Sequence, residues 1–154
     1  MNPSTETQMQ IRRSAAEVFN AFIDPAVTTN FWFTKSSGKL EVGKEVKWDW
    51  EMYNVSTTVW ASEIVPNERI VFEWGESPKR TVEFLFKTLS DGSTYVVAKE
   101  YGYQETGDEL IAAIKDSTGG FTTVLDGLKC WLEHGINLNL IRDKFPAEAI
   151  QHGD

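Results

Sequence analysis

Three groupings of residues have types and spacings that could do chemistry. Asp49 and Glu51 stand two apart, so on a strand they share a face and could divide acid and base roles as paired carboxylates do. They alternate with Trp48, Trp50 and Met52 and keep company with Lys47, which assigns them to a solvated outer face. Lys99 and Tyr101 are read in the same way. Cys130 and His134 are four apart, close enough on one helix face for a thiol and an imidazole to support nucleophilic chemistry. No oxyanion element or third orienting residue accompanies them, and Cys130 is read as a small buried hydrophobe. The other histidine, His152, lies in a tail expected to fray. Gly119-Gly120 neither follows a strand nor precedes the Lys and Ser/Thr of a phosphate-binding loop. No catalytic residue, metal ligand or cofactor is assigned.

The elements that must position any site are legible from periodicity. Ser14-Ala15-Ala16-Glu17 has the spacing of a capping box, and Ala15, Val18, Phe19, Phe22 and Ile23 follow at helical intervals, so a helix is predicted over Ala15–Ile23. Asp24-Pro25 ends it and opens a second short helix over residues 26–31. Over residues 36–103 the period falls to two, which predicts an antiparallel meander. Val46, Trp48, Trp50 and Met52 form one face of a strand, Ile70, Phe72 and Trp74 of another, and Val82, Phe84 and Phe86 of a third. Breaks fall at Glu41-Val42-Gly43-Lys44, Pro66-Asn67-Glu68, residues 75–78 and the turn dipeptide Asp91-Gly92. After Gly107 the helical period returns through Leu110, Ile111 and Ile114, then Phe121, Val124, Leu125, Leu128, Trp131 and Leu132, with Gly135 as C-terminal cap. Gly119-Gly120 places a break or a helix start near Ser117, and the tail over residues 137–154 carries Leu138, Leu140 and Ile141 before a polar end.

Composition bounds what such an assembly does. The 154 residues suit one domain, since domains cluster near about 100–150 residues. With 41% hydrophobic and 25% charged residues the chain is expected to fold as a globule, and a net charge of −8 argues against nucleic acid and anionic membranes as partners. Nothing approaches the roughly 18–20 apolar residues that span a bilayer, residues 1–10 lack an apolar signal core, and the single cysteine allows no internal disulfide. A cytoplasmic setting is therefore expected. The excess lies in the aromatics, 6 Trp, 9 Phe and 4 Tyr.

Particular segments carry a family resemblance. The stretch Ser14-Ala15-Ala16-Glu17-Val18-Phe19-Asn20-Ala21-Phe22 resembles the "vYxAf" helix of the START-like (SRPBCC) superfamily, and Pro66-Asn67-Glu68-Arg69-Ile70-Val71-Phe72-Glu73-Trp74 its "PxERLvfxW" strand. Gly119-Gly120-Phe121-Thr122-Thr123-Val124-Leu125-Asp126-Gly127-Leu128-Lys129 is similar to the "GWxxxLxxLK" signature of the branch named after the C-terminal domain of the heat-shock-protein-90 ATPase activator. Phe121 stands where many members have Trp, and residues 106–117 form a longer segment ahead of it. The resemblance covers residues 8–135, with 136–154 as a tail. It implies an α+β helix-grip fold, a curved antiparallel sheet wrapped around a long C-terminal helix, with two short helices after the first strand.

A sheet that grips a helix encloses space, and the resemblance makes Trp48, Trp50, Phe72, Trp74, Phe84 and Phe86 of the strands and Phe121 and Leu125 of the helix its walls. Such aromatics either wall a pocket or fill a core, and both stay open. Aligned on the family's last strand, Val96, Ala98 and Glu100 share the inner face, which aims the Glu100 carboxylate towards the helix near His134 or Tyr53. There it is an acid/base, a ligand anchor or a wetted rim group. The first functional expectation is non-enzymatic binding of an apolar or aromatic small molecule by Trp48, Trp50, Phe72, Trp74, Phe84, Phe86, Glu100, Phe121 and Leu125. The alternatives are a protein-interaction module like the activator domain, with a protein partner or a homodimer, and a cyclase-type enzyme on the same fold.

Overall fold

A computed structural model of the chain describes residues 2–150. Its strands are β1 (Ser4–Ile11), β2 (Lys35–Ser36), β3 (Glu45–Trp50), β4 (Val55–Val65), β5 (Arg69–Trp74), β6 (Arg80–Thr88) and β7 (Thr94–Tyr101). They form one antiparallel sheet in the order β1-β7-β6-β5-β4-β3-β2. The helices are α1 (Ala15–Ile23), α2 (Pro25–Thr28), α3 (Gly107–His134), α4 (Leu140–Lys144) and α5 (Ala147–Ile150). This is the α+β helix-grip fold.

Local chemistry starts and stops these elements as the sequence foretells. The Glu17 backbone N–H donates to Ser14 Oγ at 3.3 Å, so the first turn of α1 is capped by a side chain. Asp24 closes α1 and its carboxylate accepts from the Ala26 N–H at 3.0 Å to open α2, with Pro25 at the first helical position. In the β6–β7 hairpin Gly92 takes φ +86°, a conformation glycine adopts without steric cost. A bulge between Ala61 and Glu63 shifts the register of β4 on β5, the kind of irregularity that bends a sheet.

Register sets the inner face. Ile70, Phe84, Ala98 and Thr7 stand opposite one another along one row, and Phe72, Val82, Glu100 and Thr5 along the next. Beyond them Trp74 pairs with Val59 and Arg80. α1 covers this face with Val18, Ala21 and Phe22, and the Phe22 ring stacks on Phe84 at 4.2 Å. α3 lies along β1 and parallel to it, because Ser117 Oγ meets Thr5 Oγ1 at 2.9 Å while Lys129 Nζ, further on, donates to the Gln10 carbonyl at 2.8 Å. The N-terminal half of α3 therefore faces the end of the sheet at which β7 finishes.

Three expectations are corrected. No break occurs near Ser117, since α3 runs through Gly119-Gly120 as one helix of 28 residues. Two glycines cost about 1 kcal/mol each in a helix, whereas a break would expose as many as eight uncapped backbone groups. The Lys144 ammonium also donates to the Gly119 carbonyl at 3.1 Å. The second short helix ends at Thr28, and Phe31, Trp32 and Phe33 leave it to become buried core. The strand expected over residues 45–52 stops at Trp50, and Met52 lies in a 3-10 turn over Glu51–Tyr53. The tail forms α4 and α5, and α4 docks on the fold through Tyr53, whose hydroxyl donates to the Ile141 and Arg142 carbonyls.

Candidate functional site

At the end of the sheet where β3, β5 and β7 finish and β4 and β6 begin, the inner face is left uncovered by α1, and a cavity of about 850 Å³ opens there. Trp32, Trp50, Trp74 and Phe121 form its aromatic wall. Trp74 stands 5.8 Å from Trp32 and from Phe121, and 6.4 Å from Trp50, centroid to centroid. Tyr53, Val55 and Thr57 close one side, Ser117, Gly120 and Val124 of α3 another, and Ile141, Lys144 and Phe145 of the C-terminal segment a third.

The buried carboxylate of the cavity is Glu100, 2% exposed. Its Oε2 accepts from the Trp74 indole N–H at 2.7 Å and its Oε1 from the Tyr103 hydroxyl at 3.0 Å, while Arg80 Nη1 stands 3.7 Å from Oε1. A buried carboxylate needs this much compensation, since an unpaired one is costly in a dry site. Arg80 is itself held between carboxylates, donating through Nη2 to Glu105, and its guanidinium lies 4.5 Å above the Tyr103 ring centroid. Burial pushes the Tyr103 phenol above its ordinary pKa; the Ser117 and Thr5 hydroxyls oppose that shift and the Glu100 carboxylate adds to it. Its own backbone N–H and the Arg80 guanidinium hold the Glu105 carboxyl below the usual range. Trp74, Tyr103 and Arg80 thus act as one network whose acceptor is Glu100.

Of the wall residues expected from the sequence, Trp50, Trp74, Glu100 and Phe121 line this cavity. Trp48, Phe72, Phe84, Phe86 and Leu125 do not. They lie in the packed core, where Phe22 covers Phe84 and Phe86. Phe33 stacks on Trp48 at 4.4 Å. Glu100 is not beside His134, which sits at the far end of α3 and is exposed. The parallel run of α3 along β1 brings Ser117 to that row instead. Tyr53 lines the same cavity but spends its hydroxyl on α4. Cys130 is half-buried. Asp49 pairs with Lys47 at 3.6 Å, and Glu51 is exposed in the 3-10 turn after β3. Tyr101 donates to Glu83 on the outer face at 3.1 Å and Lys99 pairs with Glu6 at 3.7 Å. His152 lies outside the described residues.

Trp32 is the residue that sequence reasoning passed over. It is 6% exposed and touches Trp48, Trp50, Trp74, Phe84 and Phe121. Its signal was the run Phe31-Trp32-Phe33, three aromatics with no period between two elements. Arg80 and Tyr103 were likewise invisible, since each stands at a strand boundary where alternation gives no face.

Residues 12–133 match the family described as "Activator of Hsp90 ATPase homolog 1-like protein". The chain belongs to this family. Among solved structures it is similar to protein SSP2350 from Staphylococcus saprophyticus, with a TM-score of 0.77 and 29% identity over 88% of this chain and 96% of that one. Protein MLL2253 from Mesorhizobium loti shares the fold, with a TM-score of 0.74 and 15% identity over 85% and 97% of the two chains. So does the Aha1 dimer from Colwellia psychrerythraea, with a TM-score of 0.74 and 17% identity over 86% and 98%. No curated protein matches the chain. The family match spans most of the cavity wall, and the part contributed by Ile141, Lys144 and Phe145 lies beyond it.

Proposed function

We propose that this chain binds a hydrophobic or aromatic small molecule in the cavity between the sheet and α3, without chemical change to it. The observation that carries the reading is the open aromatic wall of Trp32, Trp50, Trp74 and Phe121 around about 850 Å³ of space, within the range of roughly 300–1,000 Å³ typical of small-molecule sites. Enclosure supplies the affinity, at about 25 cal/mol per Å² of apolar surface removed from water, less the cost of immobilising the ligand. The Glu100 network gives the cavity a fixed polar floor against which a ligand is oriented.

Native mass spectrometry of the freshly purified protein, followed by denaturing extraction, tests this directly. A near-stoichiometric apolar molecule released on unfolding is the expected result. As a second arm, a naphthalene-bearing alcohol is titrated against tryptophan fluorescence. Quenching in the wild type that survives undiminished in Trp50→Ala would sink the reading.

Family membership favours a second reading, a protein-interaction module with a protein partner or a second copy of the chain. Its surface would be charged rather than apolar. The exposed aromatics of the outer sheet face, Trp60 on β4 and Tyr95 on β7, are separated by β5 and β6, whose outward residues include Arg69, Glu73, Glu83 and Lys87. Sedimentation analysis at low and high salt reads this out, and a salt-insensitive monomer that captures no partner speaks against it.

A further inference from the structure

The charges around the cavity are unequal, and the inequality selects among ligands. Five carboxylates line it, those of Glu76, Glu100, Glu105, Glu109 and Asp116, against two cations, Arg80 and Lys144. The Arg80 charge is consumed by Glu100 and Glu105. The Lys144 ammonium is turned onto α3, donating to the Gly119 carbonyl and to Thr123 Oγ1 at 3.0 Å. Among the described residues Glu76, Glu109 and Asp116 have no cationic partner within 4.0 Å. The site therefore keeps a surplus of negative charge after every internal pair is formed.

An independent feature points the same way. Three indoles and the Phe121 ring form the wall, with Tyr53 and Phe145 at its sides, and the face of an aromatic ring, indole most of all, attracts a cation. Of the three wall indoles, Trp74 has already donated its N–H to Glu100. Resting on the ligand-binding reading above, we propose that the cavity takes an organic cation: an aromatic or aliphatic body carrying a protonated amine or quaternary ammonium group, with the body against Trp32, Trp50, Trp74 and Phe121 and the charge towards Glu109 and Asp116. A carboxylate or sulfonate of the same body meets repulsion from the same residues.

Three probes of one shape test this on the wild-type chain: a naphthylmethyl trimethylammonium ion, naphthylmethanol and naphthylacetate, each titrated by calorimetry. The expected order is cation, alcohol, carboxylate, with the cation about tenfold tighter than the alcohol at low salt. That gap narrows as salt screens the exposed carboxylates. If the alcohol binds and the cation gains nothing over it, or the carboxylate binds best, the charge inference is overturned while the ligand-binding reading stands. If none of the three binds, the ligand-binding reading itself falls and takes this one with it. Exposed Glu109 and Asp116 permit a second check: in the Glu109→Gln, Asp116→Asn double variant the cation weakens by about threefold to tenfold and the alcohol is unchanged. Equal weakening of both probes would contradict the assignment.

Discussion

The two ends of the inner sheet face are made by one alternation of side chains and finish differently. At the end beneath α1, Phe84 meets Phe22 face to face at 4.2 Å and Phe86 meets Phe19 edge-on at 5.8 Å, so every ring has a partner above it. At the other end Trp50 and Trp74 have Trp32 at 6.5 and 5.8 Å, and Trp74 has Phe121 at 5.8 Å, yet both remain partly exposed. The inward residues also turn polar there, with Arg80, Glu100 and Thr57 in the places that apolar side chains hold elsewhere. The cavity is thus not an added element. It is the length of sheet that α1 is too short to cover, roofed by α3 and the α4 segment, where Trp50 and Trp74 stay partly exposed.

The largest expected effect breaks the packed end. Phe84→Ala removes a ring with no exposure, and loss of a buried phenyl costs about 3–5 kcal/mol. Trp50→Ala, at the open end, should cost only about 1–2 kcal/mol, because half-buried rings leave less of a void. Urea unfolding of the two variants measures the difference. Equal losses would mean that the open end is closed in solution.

Next in size is the polar floor. Glu100→Ala leaves the Trp74 indole N–H and the Tyr103 hydroxyl without their acceptor, and removing one member of a buried charged network costs about 3 kcal/mol. Glu100→Gln keeps an oxygen for one of the two donors and should recover about half of that loss. A thermal melt compares them. If Glu100→Ala is as stable as wild type, the carboxylate is hydrated and the network does not hold the wall.

How much of this was legible beforehand follows from the same contrast. The packed end wrote itself into the sequence, because Ile70, Phe72, Val82, Phe84 and Phe86 alternate cleanly and an inward apolar face has one physical meaning. The inward position of Glu100 was also readable from the family's last strand. Its partners were not, since Arg80 opens β6 and Tyr103 follows β7, and contacts between strand ends depend on register that no local pattern carries. Trp32 was missed because the three-aromatic run has no period. Which aromatics wall and which fill depended on the length of α1 and on the 121 to 145 stretch folding back, both tertiary facts. The glycine pair misled for a related reason: propensity penalises it locally, while α3 is held by its packing along β1.

Glycines in α3 sharpen the comparison at smaller scale. At Gly120, on the cavity wall, an added methyl would meet nothing within 4 Å, whereas at Gly127, against the packed end, it would come to 3.3 Å of the Phe31 Cβ and carbonyl oxygen. Gly120→Ala should therefore stabilise the chain by up to about 1 kcal/mol through helix propensity while narrowing the cavity. Gly127→Ala should destabilise by about 1 kcal/mol as crowding outweighs the same gain. Opposite signs in parallel melts confirm that α3 is loosely packed at the cavity end and tightly packed at the other; the same sign at both positions refutes it.

The smallest effect belongs to the latch at the packed end. Burial alone would raise the Glu133 pKa, but the Arg12 backbone N–H at 2.9 Å, the Lys129 ammonium at 2.7 Å and the charge of His134 outweigh it, and the carboxyl sits below its ordinary value. A group depressed on folding contributes stability that is fully present above its unfolded pKa and is lost as pH falls through the lowered folded one. Glu133→Gln should thus cost about 0.5–1 kcal/mol at neutral pH and flatten the acid limb of the stability curve. Because the latch ties α3 to the β1–α1 connection far from the cavity, binding of the naphthyl probes should be unchanged in this variant. A change in their affinity would show that the two ends of α3 are coupled, and that the packed half of the grip sets the width of the open one.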